Sequence, residues 1–270
     1  MLALSRQAYY SAKKRHRIKV ESNEYALYLA SVQRSVHPKL GCRKIHTKIE
    51  KDLEEAGIKI GRDKFISLMV DNGLEVKKKK RYKSTTNSNH NNKISENLIK
   101  GKIVERADSV WVSDITYIET CQGFLYLSLV TDIYSRKIMG YNLADNLMTS
   151  ESLKALKMAI KTSKREADVH HSDRGVQYSS QMYLNKLKKH RIVSSMSRKS
   201  SPHENAVAER LNGILKQEYD ISDRYQTKQQ AKKIVKQAIE LYNTDRPHGS
   251  LNMQTPQKVY EDSYNKYCHL

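Results

Sequence analysis

Three acids in this chain stand where an acid is chemically conspicuous. Asp114 sits in the run WVSDITYIE, among Val112, Ile115 and Tyr117, and a carboxylate inside such a strand is costly unless it is paired or metal-bound. Asp173 ends the run ADVHHSD, just after a short strand, at the carboxyl end where α/β sheets present ligands. Glu209 falls in ENAVAERLNGILKQEY, which reads as a helix. Hard carboxylate oxygens converging on one point are what Mg²⁺ coordination requires. A pair of such ions about 3.5–4 Å apart activates the attacking oxygen and stabilises the leaving one in phosphodiester displacement. One at a time, the acids have plainer readings, because SDRG is good turn chemistry and a helical glutamate is usually solvated. The combination matters more than any member: 58 residues separate Asp114 from Asp173, and 35 separate Asp173 from Glu209.

The elements that must position these acids follow from periodicity. WVSDITYIE, FLYLSLVTDIYS and RKIMGYNLA are three β-rich runs at hairpin spacing, with Gly123 in the first turn and Ser135 in the second. ESLKALKMAIKTSK then predicts an amphipathic helix with Leu153, Leu156 and Ile160 inward. The strand ADVHHSD, the helix YSSQMYLNKLKKH, the strand IVSSMS, the helix carrying Glu209 and the helix QQAKKIVKQAIELYN complete the order. Three antiparallel strands followed by alternating helix and strand predict an α/β fold, a ribonuclease-H-like mixed sheet flanked by helices.

Upstream the pattern is helical. Ser22 and Asn23 read as caps of a helix reaching about Val36 and stopped by Pro38. KIHTKIEKDLEEAG spaces Ile45, Ile49 and Leu53 by four and ends at Gly57, and RDKFISLMVDNGL buries Phe65, Leu68 and Met69 before Gly73. Helix, short turn, helix is the layout of a helix-turn-helix DNA reader, although three small helices also make a generic bundle. Residues 1–20 read as a basic N-terminal segment, 21–76 as a small all-α helix-turn-helix domain, 77–107 as a basic linker, 108–225 as the catalytic core, and 226–270 as a C-terminal helix and tail completing it. The linker opens on KKKKRYK, six bases in seven positions, and runs into polar STTNSNHNN.

Charge points to the partner. The 49 Lys and Arg residues against 29 Asp and Glu give a formal net charge of +20, a self-repulsion that a polyanion relieves. Double-stranded DNA is the expected polyanion, with Arg62, Lys64, Lys77, Lys78, Lys79, Lys80 and Arg81 as contacts in the helical domain and linker. Cys42, Cys121 and Cys268 are far apart and form no C-x-x-C pair, so neither a disulfide framework nor a zinc knuckle is indicated. His170 and His171 are adjacent and would point to opposite faces of a strand. With no signal peptide or apolar run of about 20 residues, the expected location is the cytoplasm, with no membrane partner.

These motifs closely resemble the second-reading-frame product of the insertion-sequence-three family of bacterial transposases. The resemblance is carried by WVSDITYI, GFLYLSLVTDIYSRKIMGY, HSDRGVQYSS, ENAVAERLNGILKQE and YNTDRPHGSLNMQTPQKVY, with GCRKIHTKIEKDLEEAGIKIGRDKFISLMVDNGL and LALSRQAYY upstream. It implies that Asp114, Asp173 and Glu209 are the metal ligands, holding two Mg²⁺ ions with Mn²⁺ as substitute. It also implies that Lys216, two helical turns beyond Glu209, contacts DNA near the cut, with Arg198, Lys199 and Asn205 as further DNA contacts. Glu204 stands where the family usually has aspartate, and Ser200–Ser201–Pro202 where it has Gly-Asn. Asp132 matches an acid the family does not use for metal and reads as structural, pairing with Arg136; His171 and His248 are near-site candidates with structural alternatives. The implied activity is 3′-end cleavage and strand transfer by a copy-out, paste-in route, on an oligomer assembled on DNA. The implied partners include the first-reading-frame product, or a frameshift fusion with it. A DNA-binding regulator with a degenerate core and a nuclease that cuts without joining are the alternatives at this point.

Overall fold

The computed structural model describes residues 5–76, 95–198, 205–224 and 226–266. Lys77 to Arg81, Lys199, Ser200 to Pro202, Glu204 and Cys268 lie outside the described residues. The chain divides into two compact units, the break falling between Lys79 and Lys80.

The N-terminal unit holds α1 (Arg6–Val36), α2 (Cys42–Glu55) and α3 (Arg62–Asp71). α1 begins sixteen residues before Ser22, its predicted start, and so spans the expected boundary at residue 20. The reason is local: no Gly or Pro interrupts residues 6–36, and Ser5 caps the helix by accepting from the Ala8 N–H at 3.2 Å. Ser22 is not a cap; its hydroxyl donates to the Ile18 carbonyl at 2.7 Å within the helix. Ala26 and Ala30 from α1, Ile45, Ile49 and Leu53 from α2, and Phe65 and Met69 from α3 form one core, with Leu68 partly buried against it. Gly57 closes α2 at φ +70, with the Ile58 N–H donating to the Leu53 carbonyl at 2.8 Å.

The C-terminal unit is built on five strands: β1 (Val110–Thr120), β2 (Gly123–Asp132), β3 (Ile138–Ala144), β4 (Val169–Ser172) and β5 (Val193–Met196). The sheet order is β3-β2-β1-β4-β5, antiparallel across β1, β2 and β3 and parallel across β1, β4 and β5. The central strand is therefore the one carrying Asp114. Helix α4 (Thr149–Thr162) crosses from β3 to β4, and it lies so close to β3 that a Cβ on Gly140 would run into the Ala155 carbonyl and the Ala159 amide. The predicted single helix after Asp173 is two, α5 (Val176–Ser179) and α6 (Gln181–Lys189), because Ser180 is extended at φ −69, ψ 145 and its hydroxyl caps α6. Helices α7 (Ala206–Glu218) and α8 (Lys228–Thr244) follow.

One further helix, α9 (Pro256–Asn265), escapes the periodicity reading. Its signal was present: Thr255 as N-cap, Pro256 at the first turn, and Tyr260 and Tyr264 four apart. Both tyrosines reach the fully buried Asp108, at 2.6 Å and 2.5 Å, and Trp111 Nε1 donates to the same carboxylate at 2.8 Å. Residues 95–98, grouped with the linker on sequence, instead run beside β5: Leu98 N–H donates to Ser195 Oγ at 2.9 Å and Met196 N–H to the Glu96 carbonyl at 3.3 Å.

Side chains alternate across the sheet. Trp111 and Ile115 join a core with α4 and α6, while Ile118 joins a second core with α7 and α8. The period of two puts Asp114 with Ile118, on the face covered by α7.

Candidate active site

The β1–β4 register brings the two aspartates together. Ser113 and Ser172 are partners in the parallel pair, so the residues that follow, Asp114 and Asp173, emerge side by side from the sheet. Helix α7 lies against the same stretch: Asn205, at its N-cap, donates to the Ser113 carbonyl at 3.3 Å. Asn212, one turn beyond Glu209, donates to Asp114 Oδ2 at 2.7 Å. Asn212 is a residue the sequence reading passed over, because an asparagine in an amphipathic helix carries no signal until its partner is known.

Electrostatics mark the same place. Burial, reinforced by the charge of Asp173 and least by that of Glu209, pushes the Asp114 carboxyl up to about 7, against the opposing hydrogen bonds from the Ile115 N–H and Asn212. Burial pulls the Lys216 ammonium down, and the Asp114 charge partly restores it. Lys216 therefore senses Asp114, seven residues after Glu209 on one helix face. Asp173 turns back on its own loop, where Oδ1 accepts from the Gly175 N–H at 2.9 Å. Glu209 is exposed on α7. Among the described residues, no three His, Cys, Asp or Glu side chains are gathered closely enough to hold one ion.

Beneath the acids lies a buried polar layer. His170 Nε2 meets Ser113 Oγ at 2.7 Å and Tyr183 Oη at 3.0 Å, and burial with the neighbouring His171 pushes its pKa down to about 3, so the ring is neutral. His171 Nδ1 meets Ser195 Oγ at 2.9 Å. The adjacent histidines thus have separate partners, on opposite faces of the sheet. His248 Nδ1 meets Ser250 Oγ at 3.0 Å, next to the ring of Tyr242.

The remaining expected residues are placed as follows. Asn205 is buried onto β1 and does not present its amide to solvent, in contrast to its expected DNA contact. Arg198 is exposed. Arg62 and Lys64 are exposed on α3 of the other unit, Arg62 pairing with Asp63 at 2.8 Å. Asp132 is structural, as expected, but its partner differs: it accepts from the Ser135 N–H at 2.7 Å and the Asp108 N–H at 2.9 Å, with Arg136 contributing only longer-range charge.

Asn212 is a positioning residue by this geometry. Asn212→Leu removes a donor to a charged group, a contact contributing about 1.5–3 kcal/mol. If the chain has the DNA-cleaving activity the resemblance implies, its single-turnover rate at neutral pH should fall about tenfold or more. Its acidic limb should move to higher pH, because Asp114 loses a group that favours its ionised form. A Leu variant cleaving at the unaltered rate, with an unmoved pH profile, would show that the contact is idle.

The comparisons with known proteins agree with this architecture. Residues 104–202 match a family described as an integrase core domain, and residues 190–256 match a second so described. The chain is similar to the uncharacterized 31 kDa protein of insertion element IS600 from Shigella sonnei, 33% identical over 222 residues and covering 81% of each chain. It is 31% identical over 226 residues to the transposase for insertion sequence element IS904 from Lactococcus lactis, covering 81% of this chain and 87% of that one. Transposase InsF for insertion sequence IS3A of Escherichia coli is 31% identical over 189 residues, covering 69% of this chain and 66% of the other. Among solved structures, a chain of the simian T-cell lymphotropic virus intasome shares the fold at 15% identity and a TM-score of 0.52, covering 82% of this chain and 74% of that one. An integrase-type core on a ribonuclease-H-like sheet and this extent of likeness to insertion-sequence proteins lead to one conclusion: the chain belongs to the insertion-sequence-three family of transposases, polynucleotidyl transferases with an integrase-like catalytic core.

Proposed function

We propose that Asp114, Asp173 and Glu209 form the catalytic centre of this transposase, and that it cleaves a phosphodiester at an element end and joins the released 3′-hydroxyl to a second strand. The observation that carries the reading is the crowding of like charge around Asp114: a half-buried carboxyl held up at about 7 beside Asp173, with Glu209 adding to the repulsion. A divalent cation would relieve that repulsion, and three carboxylates suit Mg²⁺, or Mn²⁺ in its place. When bound there, the metal would supply the charge that activates the attacking oxygen and stabilises the leaving one.

The chain's own residues do the rest. Asn212 keeps one Asp114 oxygen in place, and the Gly175 N–H fixes the Asp173 carboxylate on its loop. Glu209, exposed on α7, is the third carboxylate that would hold the metal. Lys216 brings positive charge beside Asp114, where the scissile phosphate would lie. Water attacks phosphorus in line and the 3′-oxygen leaves with a proton; in joining, that hydroxyl attacks a second phosphodiester and a new 3′-oxygen leaves. No covalent bond to the protein forms.

The reading extends to double-stranded DNA as element end and target, to an oligomer on that DNA, and to action as a fusion with the first-reading-frame product. The net charge of +20 supports the DNA partner, and no helix among the described residues is long and apolar enough to cross a membrane. The test is a strand-transfer assay with labelled element ends, comparing this chain with the fused form in Mg²⁺, Mn²⁺ and chelator. Metal-dependent joined product is expected. Cleaved but never joined ends would favour a plain nuclease, and bound but uncut ends a regulator.

A further inference from the structure

The N-terminal unit carries a basic concavity between α1 and the turn joining α2 to α3. Arg15 and Lys19 from α1, Lys59 from the turn and Lys64 from the start of α3 line it, with Ser22 and Asn23 at its wall and no acid among the lining residues. All four bases are exposed. Among the described residues none of the four has an ion-pair partner, whereas bases nearby do: Arg17 with Glu21 at 3.5 Å, Lys51 with Glu55 at 3.7 Å and Arg62 with Asp63 at 2.8 Å.

Unpaired like charges gathered around one hollow repel each other, and an anion seated there removes the repulsion. The cations come from three separate elements and stay solvated, so they suit an extended, repeating anion better than a small one enclosed on all sides. Asn23 adds a neutral donor of the kind that holds phosphate oxygens. We propose that this concavity seats the phosphodiester backbone of duplex DNA, with Arg15, Lys19, Lys59 and Lys64 as its phosphate contacts. The proposal rests on the reading that the chain acts on DNA. Lys64 is already an expected DNA contact; the site adds Arg15 and Lys19 on α1 and Lys59 on the α2–α3 turn.

The test uses the full chain, a fluorescent duplex and anisotropy titrations across a series of salt concentrations. The variant Arg15→Gln/Lys19→Gln/Lys59→Gln/Lys64→Gln should flatten the slope of log affinity against log salt by about 3–4, at about 0.9 per lost phosphate contact. The loss should be equal on duplexes of unrelated sequence, because phosphates carry no sequence. A charge-matched control, Lys157→Gln/Lys161→Gln/Lys188→Gln/Lys189→Gln, removes four exposed lysines of α4 and α6 and should lose less. A slope changed no more than in the control, or a loss confined to one sequence, overturns the proposal. Should the fourfold variant fail to fold, single Lys19→Gln and Lys59→Gln changes carry the test, each expected to remove about 0.9 from the slope. If wild-type chain never joins ends while the slope still depends on the four bases, the catalytic reading fails and the backbone site stands. If ends are joined and the slope is indifferent to them, the backbone site fails by itself.

Discussion

Replacing Asp114 or Asp173 with alanine should lower cleavage and joining at least about a thousandfold, since metal-borne charge stabilisation amounts to several kcal/mol of barrier, while duplex binding stays near the wild-type level. Both acids sit at one spot on the sheet because Ser113 and Ser172 pair across β1 and β4. Removing a negative charge next to bound phosphate does not weaken DNA binding, so the two readouts separate. Either alanine chain retaining Mg²⁺-dependent cleavage would remove that residue from the catalytic centre.

Asp114 also has a stability signature with a defined sign. Its carboxyl titrates at about 7 in the folded chain against an ordinary value of 3.8, so folding favours the protonated form. The associated stability is fully present below about pH 4 and is lost as pH rises through 7. Without metal, Asp114→Asn should therefore stabilise the fold at pH 8 by on the order of 1–3 kcal/mol after allowing for partial exposure of the site, read as a higher Tm than wild type. The advantage should shrink as pH falls toward 4, and adding Mg²⁺ should raise the wild-type Tm but not the variant's. Thermal scans of both chains at several pH values, with and without Mg²⁺, measure it. Equal Tm for the two metal-free chains at pH 8 would argue that the carboxyl is not held in the crowded site described.

The largest expected loss of stability lies at Arg246. Its side chain, 2% exposed, makes two hydrogen bonds to Glu218, Nε to Oε2 at 2.6 Å and Nη2 to Oε1 at 2.7 Å, and lies 5.7 Å from the Tyr242 ring centroid. Glu218 ends α7, the helix carrying Glu209, Asn212 and Lys216, so this pair anchors that helix to the segment leaving α8. Arg246→Ala would take both of these hydrogen bonds from the Glu218 carboxylate, 16% exposed. Breaking a buried pair by removing one member costs about 3–5 kcal/mol. For a unit of this size that is about 10 °C in Tm, measured by thermal denaturation of the C-terminal unit. Arg246→Lys should recover part of it, keeping the charge without the two-pronged geometry. A drop under about 1 kcal/mol for the alanine variant would mean α7 is held by its apolar face alone.

Much of this protein is legible along the chain. The change from helical period to alternation marks the two units; Gly57 and Gly73 stop helices where a left-handed residue is required; an acid in WVSDITYIE stands out because strand neighbours are apolar. Each is a local signal, decided within a few residues. The start of α1 was misread for a local reason too: Ser22 resembles a cap, but its hydroxyl is satisfied within the helix, by the Ile18 carbonyl.

What the linear pattern determined by itself was which residue types recur at which period: strand, helix, turn, and three acids at their spacing. Only the tertiary structure decided which side chains meet. Asn212 reaches Asp114 across 98 positions, Tyr260 and Tyr264 reach Asp108 across 152 and 156, and Asn205 turns inward onto Ser113 across 92. The lift of Asp114 to about 7 belongs to the same class, since it comes from burial under α7 and from Asp173 on another strand. Periodicity reports the face a residue occupies. Desolvation and charge coupling depend on what is packed against that face, and those neighbours are distant in sequence.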